Sequence, residues 1–303
     1  MYKLIIIISL SFILNSCASN KIHPNKIYYK KQFNSIWNIV ESDPYKQLPN
    51  NKVSYFSLFK DDNSTILRDA KRTLNSQEDI LPYFNKLAHP NGICFKGTWN
   101  ILEDSIYSGY FKKNSKALII ARASSALSNT KKGEIRTFGF AGKLFPTTNP
   151  NKIIKKTANF FLIDDLGGTK ESYYSNTELI NAPKVSFNIE ILKNIFYALE
   201  VKNAFEKADK NPNIRQVYTI SQLNEQNKVI TPKYMKIKAI NIFKKDKNDF
   251  RDELQINSKE LIFNIFVSED KMSWNKIGNI ILNKSIRSVS CDHNLHFTHP
   301  KYK

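Results

Sequence analysis

Between Gly92 and Ile163 the chain is a succession of short runs rich in Ile, Phe, Leu and Ala, each ended by turn-forming residues. The runs are Gly92–Leu102, Tyr107–Phe111, Lys116–Ser124, Ile135–Phe145 and Thr157–Ile163. Asn114-Ser115, Asn129 to Gly133, Pro146 to Asn151 and Gly167-Gly168 punctuate them. Links this short leave no room for crossover helices, so successive strands must pair antiparallel. The pattern predicts an antiparallel meander that can close into a β-barrel. Tyr234–Phe243, Glu260–Val267 and Ile277–Asn283 read as further strands.

Helical spacing surrounds this core. Leu67 lies in Ser64–Leu74, and Ile80, Leu81, Phe84 and Leu87 recur at helical intervals in Gln77–Ala88. Ile189–Lys207 carries Leu192, Ile195, Phe196, Leu199 and Phe205 on one stripe and ends at Asn211-Pro212-Asn213. The expected class is α+β, an antiparallel barrel with flanking helices. There is no internal repeat or low-complexity linker, so one domain is expected over residues 51–303.

The N-terminus reads as a targeting segment. Met1-Tyr2-Lys3 precedes the apolar run Leu4–Leu14, followed by Asn15-Ser16-Cys17. One positive charge, a short apolar stretch and a small residue before the cut form a secretory signal over residues 1–16. The ending Leu14-Asn15-Ser16-Cys17 resembles that of bacterial lipoproteins, which implies acylation of Cys17 and stable membrane attachment. Ala18 after the cysteine leans towards the outer membrane of the cell envelope. Residues 17–50 then read as an arm from lipid to body. Cys94 and Cys291 would lie in an oxidising compartment, either as a disulfide or as two separately buried thiols.

The formal charge of +19 does not indicate a nucleic-acid partner, because only seven of 46 basic residues are Arg and the lysines are dispersed. A solvated lysine surface, or attraction to an anionic membrane, accounts for it better. The familiar hydrolase, nucleotide and zinc-protease motifs are absent. His293, His296 and His299 are each three apart, but Thr298 and Pro300 argue against the helix that would gather them, and no metal is expected. Asp164-Asp165 read as a strand end entering the Gly167-Gly168 turn.

Four segments, in order, carry a resemblance. They are Ala88-His89-Pro90-Asn91-Gly92-Ile93-Cys94-Phe95-Lys96-Gly97, Ala121-Arg122-Ala123-Ser124-Ser125, Arg136-Thr137-Phe138-Gly139-Phe140-Ala141-Gly142-Lys143-Leu144-Phe145 and Thr157-Ala158-Asn159-Phe160-Phe161-Leu162-Ile163-Asp164. Together they resemble the barrel strands of haem catalases, over about residues 85–170. Ser290-Cys291-Asp292-His293-Asn294-Leu295-His296-Phe297 is similar to a Cys-x-x-Leu-x-Phe stretch of small catalase-like haem proteins.

The resemblance implies haem as cofactor and roles for particular residues. His89 would be the distal acid–base group that moves a proton during peroxide cleavage, with Ser124 in support. Arg122 and Lys86 would face the haem propionates. The chain departs from the pattern in two places. Lys155 and Lys156 stand where the family has its distal Asn. No Arg is followed four residues later by a Tyr, the pair that supplies the family's iron ligand, and Tyr302 in the basic tail is a poor substitute. Efficient catalase turnover is therefore not expected. Two functions remain: a haem-binding envelope lipoprotein with weak peroxide or hydroperoxide chemistry, or a non-catalytic structural or interaction lipoprotein.

Overall fold

The computed structural model describes residues 24–43, 78–82, 89–125, 131, 138–148, 157–163, 231–240, 249–270 and 272–297. Helix α1 spans Pro24–Ser42. The strands are β1 (Gly92–Ile101), β2 (Lys116–Ser125), β3 (Phe138–Thr148), β4 (Ala158–Ile163), β5 (Tyr234–Ala239), β6 (Leu261–Ser268) and β7 (Asn275–Ile286). Two short helices, α2 (Phe250–Glu253) and α3 (Val289–His293), flank the later strands.

All pairings are antiparallel, in the order β4-β3-β2-β1-β7-β6-β5. Two meanders, β1 to β4 and β5 to β7, are joined by β7 pairing with β1. The result is a seven-stranded half-barrel with few helices, a β-rich α+β fold. The expected closed barrel is not reached among the described residues, where β4 and β5 form the two ends of the sheet.

Alternation along the strands divides the side chains between two faces. The concave face carries the larger core, with Trp99, Phe140, Phe160 and Phe263 among its rings. Gly142 has room for no side chain there, since a Cβ would lie 2.3 Å from the Phe160 ring. On the convex face α1 lays down Phe33, Ile36, Trp37 and Val40 against Cys94, Ile120, Phe145, Cys291, Leu295 and Phe297. Burying side chains of this size contributes roughly 1.5–3 kcal/mol each. Helix α1 thus belongs to the body, although its residues fall within the stretch read as an arm. Among the described residues no helix is long and apolar enough to cross a membrane.

Local departures from expectation have local causes. Tyr107–Phe111, expected as a strand, turns at Gly109 (φ 60°) into a 3-10 turn over Gly109–Phe111. It stays buried because the Trp99 indole N–H donates to the Tyr110 carbonyl at 2.9 Å. Gln77–Ala88, expected as a helix, is extended where described. Ile80 bridges Leu295, and the Leu81 N–H donates to the Asn294 carbonyl. The Asn114-Ser115 turn forms as expected, with Asn114 at φ 66°, a conformation asparagine tolerates. The expected helices Ser64–Leu74 and Ile189–Lys207 lie outside the described residues, as do Lys86, Lys155, Lys156, Cys17 and Tyr302.

Candidate functional site

His89 sits just before β1 on the convex face, in a left-handed conformation (φ 59°). Such a backbone is uncommon for a residue with a Cβ and needs its surroundings to hold it. Arg122 supplies the hold from β2. Its Nη1 donates to the His89 carbonyl at 2.9 Å and its Nη2 to the Pro90 carbonyl at 3.0 Å.

The neighbouring row of the sheet is made of small residues. Gly92 pairs with Ser124, and Ser124 with Gly139. The His89 ring lies on Gly139, where a Cβ would come within 2.6 Å of the imidazole Cε1. The Arg122 guanidinium lies on Gly92, where a Cβ would also come within 2.6 Å. Each glycine therefore makes room for one functional-looking side chain. An imidazole N–H donates to the Ser124 carbonyl. Burial, reinforced by the Arg122 cation, pushes the His89 pKa down to about 3, so the ring is neutral at physiological pH.

The other anchor comes from the C-terminal segment. Asp292 in α3 accepts from Arg122 Nη2 at 2.6 Å and from the Gly92 N–H at 2.9 Å, and both charged side chains are buried. Ser288 caps α3 by accepting from the Cys291 N–H at 3.0 Å. Cys291 and Cys94 form a disulfide, with Cα atoms 5.8 Å apart, which settles the alternative left open by the sequence. Asp292 is thus pinned over β1 by a covalent bond one residue away.

A second buried charge lies further along the convex face. Lys143 of β3 is 0% exposed and pairs with Asp79, whose other oxygen accepts from Gln32 of α1 at 3.1 Å. Burial holds the Lys143 pKa below the ordinary lysine value, and Asp79 opposes that shift. On the neighbouring strand, Asn159 pairs in register with Lys143. His296 places Nδ1 2.9 Å from the Glu78 carbonyl oxygen. Among the described residues no cluster of three or more metal-ligating side chains occurs.

Haem, the cofactor implied by the resemblance, can be tested against this arrangement. A propionate partner needs guanidinium N–H groups facing the ligand in a fork. Both terminal nitrogens of Arg122 instead serve Asp292 and two backbone carbonyls, and only Nε lacks an acceptor among the described residues. Asp292 already provides the carboxylate that a propionate would bring. As placed, Arg122 does not fit a haem propionate.

His89, Ser124 and Arg122 are brought together by the fold. Asp292, Gly139 and the Lys143–Asp79 pair were not singled out as site residues from sequence. The signal for Asp292 was its place in Ser288-x-x-Cys291-Asp292, a cap followed by a cysteine and a carboxylate.

No family model and no curated protein matches this chain. Among solved structures it is similar to a bacterial catalase with a TM-score of 0.43 and 11% identity, over 67% of this chain and 49% of the catalase. The chain thus spans about half the length of that neighbour.

Proposed function

We propose that this chain is a lipid-anchored protein of the bacterial cell envelope whose half-barrel is a non-catalytic structural or interaction module. The observation that carries this reading is the Arg122–Asp292 pair. In the catalase-like scheme, Arg122 would answer a cofactor carboxylate. Here it answers one from the chain itself and holds the His89 backbone in a strained conformation. A neutral His89, packed on Gly139 and hydrogen-bonded to the Ser124 carbonyl, is held by the fold itself without calling on peroxide. The Cys94–Cys291 disulfide supports an exported protein, because such bonds persist in oxidising compartments. The signal-like residues 1–16 and Cys17 supply the anchor.

The test is an absorption titration of the purified protein with haemin, together with oxygen evolution from hydrogen peroxide. The expected result is no Soret band saturating at one equivalent and no turnover above free haemin. A stoichiometric Soret band, with turnover that collapses in His89→Ala, would overturn the reading. The anchor is tested separately. Labelled palmitate should enter the wild type and fail to enter Cys17→Ser.

A further inference from the structure

Helix α1 seats Phe33, Ile36, Trp37 and Val40 on the sheet, and its outer face changes character along its length. The first half presents Tyr28, 62% exposed, with Lys30 and Lys31 also exposed. Carboxylates appear only at the far end, where Glu41 pairs with Lys284 and Asp43 accepts from the Ser290 hydroxyl. Residues 17–40 contain Lys21, Lys26, Lys30 and Lys31 and no Asp or Glu.

This order of charge opposes the helix dipole, which favours carboxylates in the first turn and cations in the last. Helix α1 has no acidic residue in its first turn and no basic residue in its last. The helix dipole therefore does not account for the lysines. Neither Lys30 nor Lys31 pairs with a carboxylate among the described residues.

Exposed lysines within one helical turn of a tyrosine with an apolar body and a polar tip match the headgroup layer of an anionic bilayer. The position agrees with such a surface. Pro24, where α1 begins, lies seven positions after Cys17. Seven residues reach at most about 25 Å when fully extended. A lipid on Cys17 would therefore hold the first turns of α1 close to the headgroups.

We propose that the first turns of α1 dock on the anionic bilayer surface through Tyr28, Lys30 and Lys31, so that the body rests on the membrane instead of swinging on a tether. This rests on the lipid-anchor reading above and adds a second contact to it.

The full-length protein is incubated with vesicles of phosphatidylglycerol and phosphatidylethanolamine, or of phosphatidylcholine alone. It is then acylated with a membrane-impermeant lysine reagent and read by peptide mass spectrometry. On the anionic vesicles, Lys30 and Lys31 should react about fivefold or more slowly, with the protection lost near ~0.5 M salt. Lys116 and Lys276, exposed at strand ends, should react alike on both. Equal reactivity of Lys30 and Lys31 on both vesicles overturns the proposal, as does protection that ignores salt. Palmitate incorporation reports the anchor independently. A lipidated protein with unprotected lysines removes the docking contact alone. An unlipidated protein still protected on anionic vesicles removes the anchor reading alone.

Discussion

Arg122 and Asp292 are 170 positions apart in sequence and 2.6 Å apart in space, and both are buried. One carboxylate oxygen thereby joins the start of β1, the guanidinium of β2 and helix α3. The strained carbonyl of His89 hangs on the same guanidinium.

Removing one partner of a buried ion pair leaves the other charge uncompensated, which costs about 3–5 kcal/mol. Asp292→Ala should therefore lower stability by about that amount in urea denaturation. Asp292→Asn, which can still accept from the Gly92 N–H, should cost less. If Asp292→Ala shifts the midpoint no more than an exposed Asp104→Ala control, the clasp does not hold this end of the sheet.

The Cys94–Cys291 disulfide closes a loop of 197 residues. Cross-links over long loops remove much chain entropy from the unfolded state, typically stabilising by about 2–5 kcal/mol. The double variant Cys94→Ala/Cys291→Ala should unfold at correspondingly lower denaturant. Adding reductant to the wild type should reproduce the shift and leave the double variant unmoved. A wild type indifferent to reductant under denaturing conditions would remove the bond from the picture.

His89 gives the protein a dependence on acid. Its folded pKa, about 3, lies below the ordinary histidine value of roughly 6.5. A group depressed in this way takes up its proton more readily in the unfolded chain. Its contribution is complete above about pH 6.5 and is lost progressively as pH falls towards 3. Between pH 7 and 5, above the range of most carboxylates, wild type should lose stability that His89→Gln retains. Parallel stability–pH curves for the two would contradict a buried neutral imidazole.

Lys143 and Asp79 should respond asymmetrically. Asp79→Ala strands a fully buried ammonium and should cost about 3–5 kcal/mol. Lys143→Met replaces the cation by an apolar side chain of similar length and leaves Asp79, which reaches solvent, hydrogen-bonded to Gln32. It should cost much less, about 1 kcal/mol or under. Equal losses in thermal or urea unfolding would indicate that the pair is not buried as described.

The strands were legible because their cause is local. Alternating apolar residues with Asn, Pro and Gly between them specify β1, β2, β4 and β6 nearly residue by residue. Helix α1 was less legible. Its four buried residues, Phe33, Ile36, Trp37 and Val40, follow helical spacing, but Asn34, Ser35 and Asn38 between them are weak helix formers. Packing on the sheet decides that helix, and packing is not a property of the segment. The same holds for Gln77–Ala88, whose helical periodicity yields at Ile80 to pairing with Leu295. At the site, the sequence determined that His89, Arg122 and Ser124 lie at the ends of neighbouring strands. Only the tertiary structure decided what they do there. Cys291 brings a carboxylate from the far end of the chain onto Arg122, and a buried cation goes to the nearest anion that can reach it. That contact spans 170 positions, and no local pattern encodes it.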